Sequence, residues 1–252
     1  MKRRVYRASA LAGWIGVIVL FVLILSDNAV RQAVFATMSQ WSDPIRLIVA
    51  ALGGYLIGSI PIGFLAVGAI TERDVREEGS GRTGGTNAYR AGGFLGGFLT
   101  IVGDFLKGMC AVAFGALTLP NIWAPVLSGL GGVLGHNASI FLAFRGGAGT
   151  IANMGAATAF WPPALLFIAP IFVLGMFVIR VASVVSMILN SGAVILFLIL
   201  VLFFGYPWPL LVYAVGALLL TLYALRPNID RLRAGTEPRV PPIRLFKRVP
   251  HG

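Results

Sequence analysis

Charge is what this sequence has least of. Only 12% of its 252 residues are Asp, Glu, Lys or Arg, against roughly a quarter in an ordinary soluble domain, while 58% are hydrophobic. A soluble globule of that composition could not cover its surface. A cytosolic enzyme, a disordered chain and a nucleic-acid binder are therefore excluded, despite a net charge of +11. The single cysteine, Cys110, excludes an internal disulfide and any cysteine-based metal site. Histidine occurs only at His136 and His251, with no carboxylate-rich face beside either, so neither a metal nor a cofactor is expected. Gly-x-Ser-x-Gly is absent and no Gly-Lys-Ser/Thr ends a glycine loop, which removes the nucleophile elbow and the Walker loop. What is abundant is apolar sequence, with mean hydropathy +0.88, and glycine, with 32 residues. Glycine weakens soluble helices but is tolerated where membrane helices pack closely or break.

Apolar runs near the roughly 20 residues that cross a bilayer organise the chain. The first covers residues 8–25 behind a basic front and, with no Ala-x-Ala cleavage site after it, reads as a retained span. Residues 27–46 carry Asp27, Arg31, Asp43 and Arg46 and read as an extramembrane connector. Leu47 to Ile70 is long enough to span, with a break predicted at Gly58-Ser59-Ile60-Pro61-Ile62-Gly63. A polar loop at 71–90 precedes apolar runs at 92–118 and 122–144. Residues 149–179, interrupted by Pro162-Pro163, read as two short helices or a re-entrant hairpin. Val184–Phe204 and Pro207–Leu225 complete the set. Placing the basic loops and the Arg- and Lys-rich tail in the cytoplasm requires an even number of crossings, about eight, with both termini inside. The basic tail is a topology signal that also attracts anionic lipid.

Three polar clusters fall on that predicted cytoplasmic side. In the first, Gly79, Ser80, Gly81, Thr86, Asn87 and Arg90 can turn backbone N–H groups, hydroxyls and a forked cation toward an anion. In the second, His136 leads into Arg145, Gly146, Gly147 and Gly149, another candidate anion nest. The third joins Arg180 and Ser183 to Arg226, Asn228 and Arg231 at the exits of the last two spans. Asp104 and Lys107, three apart on one helix face, would form a pair inside a span, with a functional or a packing role. Two anion nests without a nucleophile suggest transfer between substrates that bring their own phosphates.

Read together, these residues resemble the bacterial membrane acyl-phosphate:glycerol-3-phosphate acyltransferases. The resemblance runs from about residue 50 to 240 through six blocks in order. They are Gly58–Gly63, Gly79–Asn87 with Arg90, Asp104–Gly108, Gly135-His136 with Phe144–Gly149, Arg180-x-x-Ser183 and Asn228–Glu237. It implies an all-α polytopic membrane protein, a seven-helix core to which the first span adds one. It also implies transfer of a fatty acyl group from acyl phosphate to the 1-hydroxyl of glycerol 3-phosphate, giving lysophosphatidate and phosphate. Ser80, Arg90, His136 and Asn228 are then catalytic, and Gly79, Gly81, Thr86, Asn87, Arg145, Gly146, Gly147, Gly149 and Ser183 bind substrate phosphate. An enzyme that forms acyl phosphate would be the upstream partner, alongside membrane lipid.

Three departures stand out. The family usually has a Lys where this chain has Ala148 and a His where it has Leu225, and Arg82, unusual in the first motif, is placed to restore one charge. The same departures fit a homologue that binds lipid, phosphate or a partner enzyme without turnover. The broken helices fit a small-solute transporter. The expected organisation is residues 1–46 as extra helix and connector, 47–240 as the acyltransferase-like domain and 241–252 as the basic tail.

Overall fold

A computed structural model describes residues 2–240, and those residues are helical, with no strand among them. The tail at 241–252, with His251, lies outside the described residues. Helix α1 (Lys2–Leu25) is followed by α2 (Ala29–Met38), bent from it by 66°. The expected connector thus holds a helix of its own, because Asn28 caps it by accepting from the Arg31 amide and the charges sit too far apart to break it. Helices α3 (Asp43–Ser59) and α4 (Ile62–Thr71) divide at Ile60-Pro61 as the proline dictates.

Helix α5 (Gly85–Thr118) departs most from expectation. Gly93, at φ 66° and ψ −161°, reverses the chain inside it, a backbone that only glycine adopts freely. Residues 85–92 consequently fold back along the following arm, with Gly85 beside Ile101 and Gly97 against Tyr89. The expected loop at 71–90 therefore ends at Gly84.

Helix α6 (Trp123–Asn137) stops short of the predicted run, the remainder forming the loop before α7 (Thr150–Phe160). Helices α7 and α8 (Ala164–Val178) are the two short helices that Pro162-Pro163 predicts. Helices α9 (Ala182–Phe204), α10 (Pro209–Ala224) and α11 (Arg226–Arg233) complete the described chain. By length and composition, Asp43–Thr71, Gly85–Thr118 and Ala182–Phe204 can cross a membrane, making three spans, or five if the bent pairs α1–α2 and α10–α11 each count once. Helices α6 and α8, at 15 residues each, and α7, at 11, fall short of the roughly 20 residues that cross a bilayer.

The bundle is apolar outside as well as inside. Large apolar side chains face outward, among them Leu166, Val178, Phe203 and Phe204. The interior is also mainly apolar, around Phe197 and Tyr213, but it holds paired polar side chains: Asn153 donates to Asn190 at 2.6 Å and accepts from Tyr213, joining α7, α9 and α10. Lipid rewards that arrangement, since polar groups in hydrocarbon must find partners within the bundle. Glycine lets the central helices touch. A side chain on Gly58 of α3 would collide with the backbone of Gly132 in α6, its Cβ falling 2.6 Å from the Gly132 Cα.

Candidate active site

Three helix beginnings converge on one cavity of about 110 Å³. Its wall includes Gly84–Thr86 at the start of α5, Gly149–Ile151 at the start of α7, and Ala182 and Ser183 at the start of α9. First-turn N–H groups have no intrahelical acceptor, and each helix adds roughly half a positive charge at that end. The cavity is thus built for anions before any side chain is counted. Phe172 and Met176 of α8, with Ile101 and Ile151, give it one apolar wall.

The loop ahead of α5 is held by Asn87. Its amide donates to the carbonyls of Val75, Glu78 and Arg82 at 2.8–2.9 Å, while its Oδ1 accepts from the Ser80 amide at 3.0 Å. Every polar atom of this buried side chain is engaged by the loop, so Asn87 shapes the site rather than reaching a ligand directly. It leaves the hydroxyl-bearing Ser80 and Thr86 and the cation Arg90 on the wall.

Below them lies a buried ionic cluster. Lys107 Nζ is 3.0 Å from Asp104 Oδ1 and donates to the Ile60 carbonyl at 2.9 Å, the point where α3 breaks. His136 Nδ1 of α6 is 3.5 Å from the same carboxylate oxygen. The i,i+3 pair predicted from sequence is present; its histidine partner, from another helix, was not legible. Seven buried side-chain polar atoms lack a hydrogen-bond partner among the described residues, and four of them, Asp104 Oδ2, His136 Nδ1, Thr150 Oγ1 and Asn228 Oδ1, belong to residues lining this cavity. Unpartnered buried polar groups concentrate where a polar ligand is handled.

The far wall is closed by the segment after α11. Glu237 Oε1 accepts from Ser183 Oγ at 2.8 Å and from Asn228 Nδ2 at 2.7 Å, and its Oε2 accepts from Arg231 Nε at 2.8 Å. Burial opposes this charge, but the three donors outweigh it and hold the carboxyl below its ordinary range. Arg180 donates to the Val240 carbonyl at 2.9 Å, and Arg90 to that of Arg239 at 3.4 Å, so residues 237–240 strap the cavity's edge. The sequence groups Ser183 with Asn228 and ends the last motif block at Glu237, but it assigns no role to Glu237, the residue that joins them. Its six-residue spacing from Arg231 was the available signal.

The remaining expected residues separate cleanly. Ser80, Thr86, Asn87, Arg90, His136, Gly149, Ser183 and Asn228 line the cavity, whereas Gly79, Gly81, Arg145, Gly146 and Gly147 do not. The Gly146 and Gly147 amides donate to the carbonyls of Asn137 and His136 at 3.2 and 2.9 Å, and Arg145 is exposed. These two amides point at the end of α6 and tie the loop to His136 and Asn137. Both departure positions, Ala148 and Leu225, face the cavity, as does Arg82.

Fold and cavity define the class: an all-helical membrane protein in which three helix N-termini meet at a partly apolar cavity. Residues 48–235 match the glycerol-3-phosphate acyltransferase family. The glycerol-3-phosphate acyltransferase of Synechococcus sp. (strain JA-3-3Ab) is 38% identical over 204 residues, covering 81% of this chain and 96% of its own length. Glycerol-3-phosphate acyltransferase 3 of Dehalococcoides mccartyi (strain ATCC BAA-2266 / KCTC 15142 / 195) is 37% identical over 205 residues, 76% of this chain and 94% of its own. The crystal structure of PlsY, an integral membrane glycerol 3-phosphate acyltransferase, in its glycerol 3-phosphate form superposes with a TM-score of 0.67 at 35% identity, covering 77% of this chain and 94% of that one. Its lysophosphatidic acid form gives 0.64 at 34% identity, with the same coverage. The chain belongs to the glycerol-3-phosphate acyltransferase family of membrane enzymes; α1 and α2 lie outside the matched region.

Proposed function

We propose that this chain transfers a fatty acyl group from acyl phosphate to the 1-hydroxyl of glycerol 3-phosphate, releasing lysophosphatidate and inorganic phosphate. The observation that carries the reading is the convergence of three helix N-termini on a cavity with an apolar wall. Both substrates carry a phosphate, and one carries a hydrocarbon chain. The hydroxyl oxygen attacks the acyl carbon, the bond from that carbon to the phosphate oxygen breaks, and the departing phosphate takes the hydroxyl proton. Acyl phosphate is already an activated anhydride, so positioning and charge stabilisation suffice. Ser80, Thr86, Arg90 and the first-turn amides of α5 and α7 hold phosphate. Asn228 Oδ1 and His136 present polar atoms to the acceptor, with His136 oriented by Asp104. Ser183, fixed by Glu237, borders the donor's head group, and Phe172 and Met176 border its chain.

Residues 47–240 carry this activity in the cytoplasmic membrane, residues 1–46 add the first span and the connector that holds α2, and the site and both termini face the cytoplasm. Supporting that orientation, Arg82, Arg90 and Arg180 all make hydrogen bonds at the cavity end of the bundle. An enzyme that makes acyl phosphate stands upstream.

The test supplies detergent-purified protein with acyl phosphate and glycerol 3-phosphate and follows lysophosphatidate and phosphate together. Stoichiometric release of both supports the proposal. No product above a heat-treated control, across acyl lengths and pH, overturns it.

A further inference from the structure

The sequence marks Arg82 as a charge gained at a new position, and the structure shows what holds it. One of its Nη2 protons goes to the carbonyl of Ala224 at the end of α10, and one Nη1 proton goes to the carbonyl of Gly147 at 3.2 Å. These two acceptors directly precede Leu225 and Ala148, the two positions at which the motifs that this chain resembles carry a His and a Lys. One guanidinium from the first polar cluster therefore reaches the backbone beside both lost side chains, and all three positions line the same cavity. A guanidinium has five N–H donors in a planar fork. Two are spent on the carbonyl tethers, which fix the plane without neutralising the charge, and three remain.

The charge inventory adds weight. Among the described side chains lining the cavity, Arg82 and Arg90 are the arginines, and Glu237 is ion-paired with Arg231. Lys107 sits against Asp104 and its charge is compensated there.

We propose that Arg82 is a substrate-phosphate ligand of this chain, standing in for the cations absent at positions 148 and 225. The inference rests on the acyltransferase reading for its substrates, but the ligand chemistry it names is phosphate, whether that of the acyl phosphate or of the glycerol phosphate. The tethers to two separate segments hold the fork before substrate arrives, so little ordering entropy is lost on binding.

The experiment compares the unmodified protein with Arg82→Gln, Arg82→Lys and the double variant Arg82→Gln with Ala148→Lys. The Michaelis constant for each substrate is measured with the other saturating. In parallel, thermal unfolding midpoints are recorded with and without inorganic phosphate and glycerol 3-phosphate. Losing charge-assisted hydrogen bonds to a phosphate gives Arg82→Gln a kcat/KM on the order of 10- to 100-fold lower. The loss is expected in the KM of the substrate whose phosphate Arg82 holds, which identifies the source. Arg82→Lys keeps the charge and falls between, and Ala148→Lys returns part of the loss. Phosphate raises the unfolding midpoint of the unmodified protein and not that of Arg82→Gln.

Unchanged KM values with undiminished phosphate stabilisation in Arg82→Gln overturn the inference while leaving the acyltransferase reading intact. Loss of activity with neither Lys variant recovering it also overturns it, because a purely structural tether would behave so. Conversely, an unmodified protein without turnover but with Arg82-dependent phosphate stabilisation sinks the acyltransferase reading and keeps this one.

Discussion

Replacing Lys107 by Met leaves a carboxylate stranded inside the bundle. The Lys107 and Asp104 side chains are only 3% and 2% exposed, and their charged atoms are 3.0 Å apart. At that separation, with an effective dielectric constant of about 20, the gross attraction is about 5 kcal/mol. Most of it offsets the cost of taking both ions out of water, so the pair as a whole contributes little. Removing one partner is another matter. Asp104 keeps only the contact with His136 Nδ1 at 3.5 Å, and the Ile60 carbonyl at the α3 break loses its 2.9 Å donor. Breaking such a pair costs about 3–5 kcal/mol, whereas replacing both members by uncharged groups is close to neutral. Lys107→Met is therefore expected to lower the unfolding midpoint by about 6–20 °C, at roughly 2–4 °C per kcal/mol for a chain of this size. Asp104→Asn added to it should recover most of the loss. The assay is tryptophan fluorescence of the detergent-purified variants on heating, analysed as a double-mutant cycle. A Lys107→Met penalty below about 1 kcal/mol, or a double variant as unstable as the sum of the singles, refutes the account of a desolvated, mutually dependent pair.

Two further outcomes follow from the packing and the strap. Because Glu237 titrates below its ordinary value of 4.5, its contribution is complete above that pH and disappears as pH falls through the lower folded value. Glu237→Gln is expected to cost about 1–3 kcal/mol near neutrality and to converge with the unmodified protein in acid; a difference constant with pH in midpoint measurements counts against this. Gly58→Ala puts a methyl group against the Gly132 backbone, which cannot rotate away. It should destabilise by about 1–3 kcal/mol, measured by denaturant titration in detergent, and a neutral substitution would show that α3 and α6 are not in close contact.

The membrane class, the order of the apolar runs, the break at Pro61 and the division at Pro162-Pro163 were legible from sequence, because each depends on composition or on a local backbone constraint. Six blocks in family order also identified the family. Where the amides of Gly146 and Gly147 point was not legible, because the direction of a glycine N–H depends on what packs behind it, here the carbonyls of Asn137 and His136. The role of Glu237, which ends the last motif block, was hidden for a similar reason. A carboxylate near an arginine reads as a surface pair until Ser183, 54 residues earlier, is found donating to it.

By itself, then, the sequence determined a scarcely charged, glycine-rich helical membrane protein of the acyltransferase family, with its polar residues gathered in a few clusters. Hydropathy and backbone chemistry act over a few residues and can be read there. Tertiary structure alone decided that the starts of α5, α7 and α9 meet in one cavity, through the reversal at Gly93. It alone placed His136 beside Asp104 and carried Arg82 across 142 residues of sequence to Ala224, next to the positions where charge is missing. Such long-range meetings depend on how helices pack in three dimensions, and no local pattern in the chain encodes them.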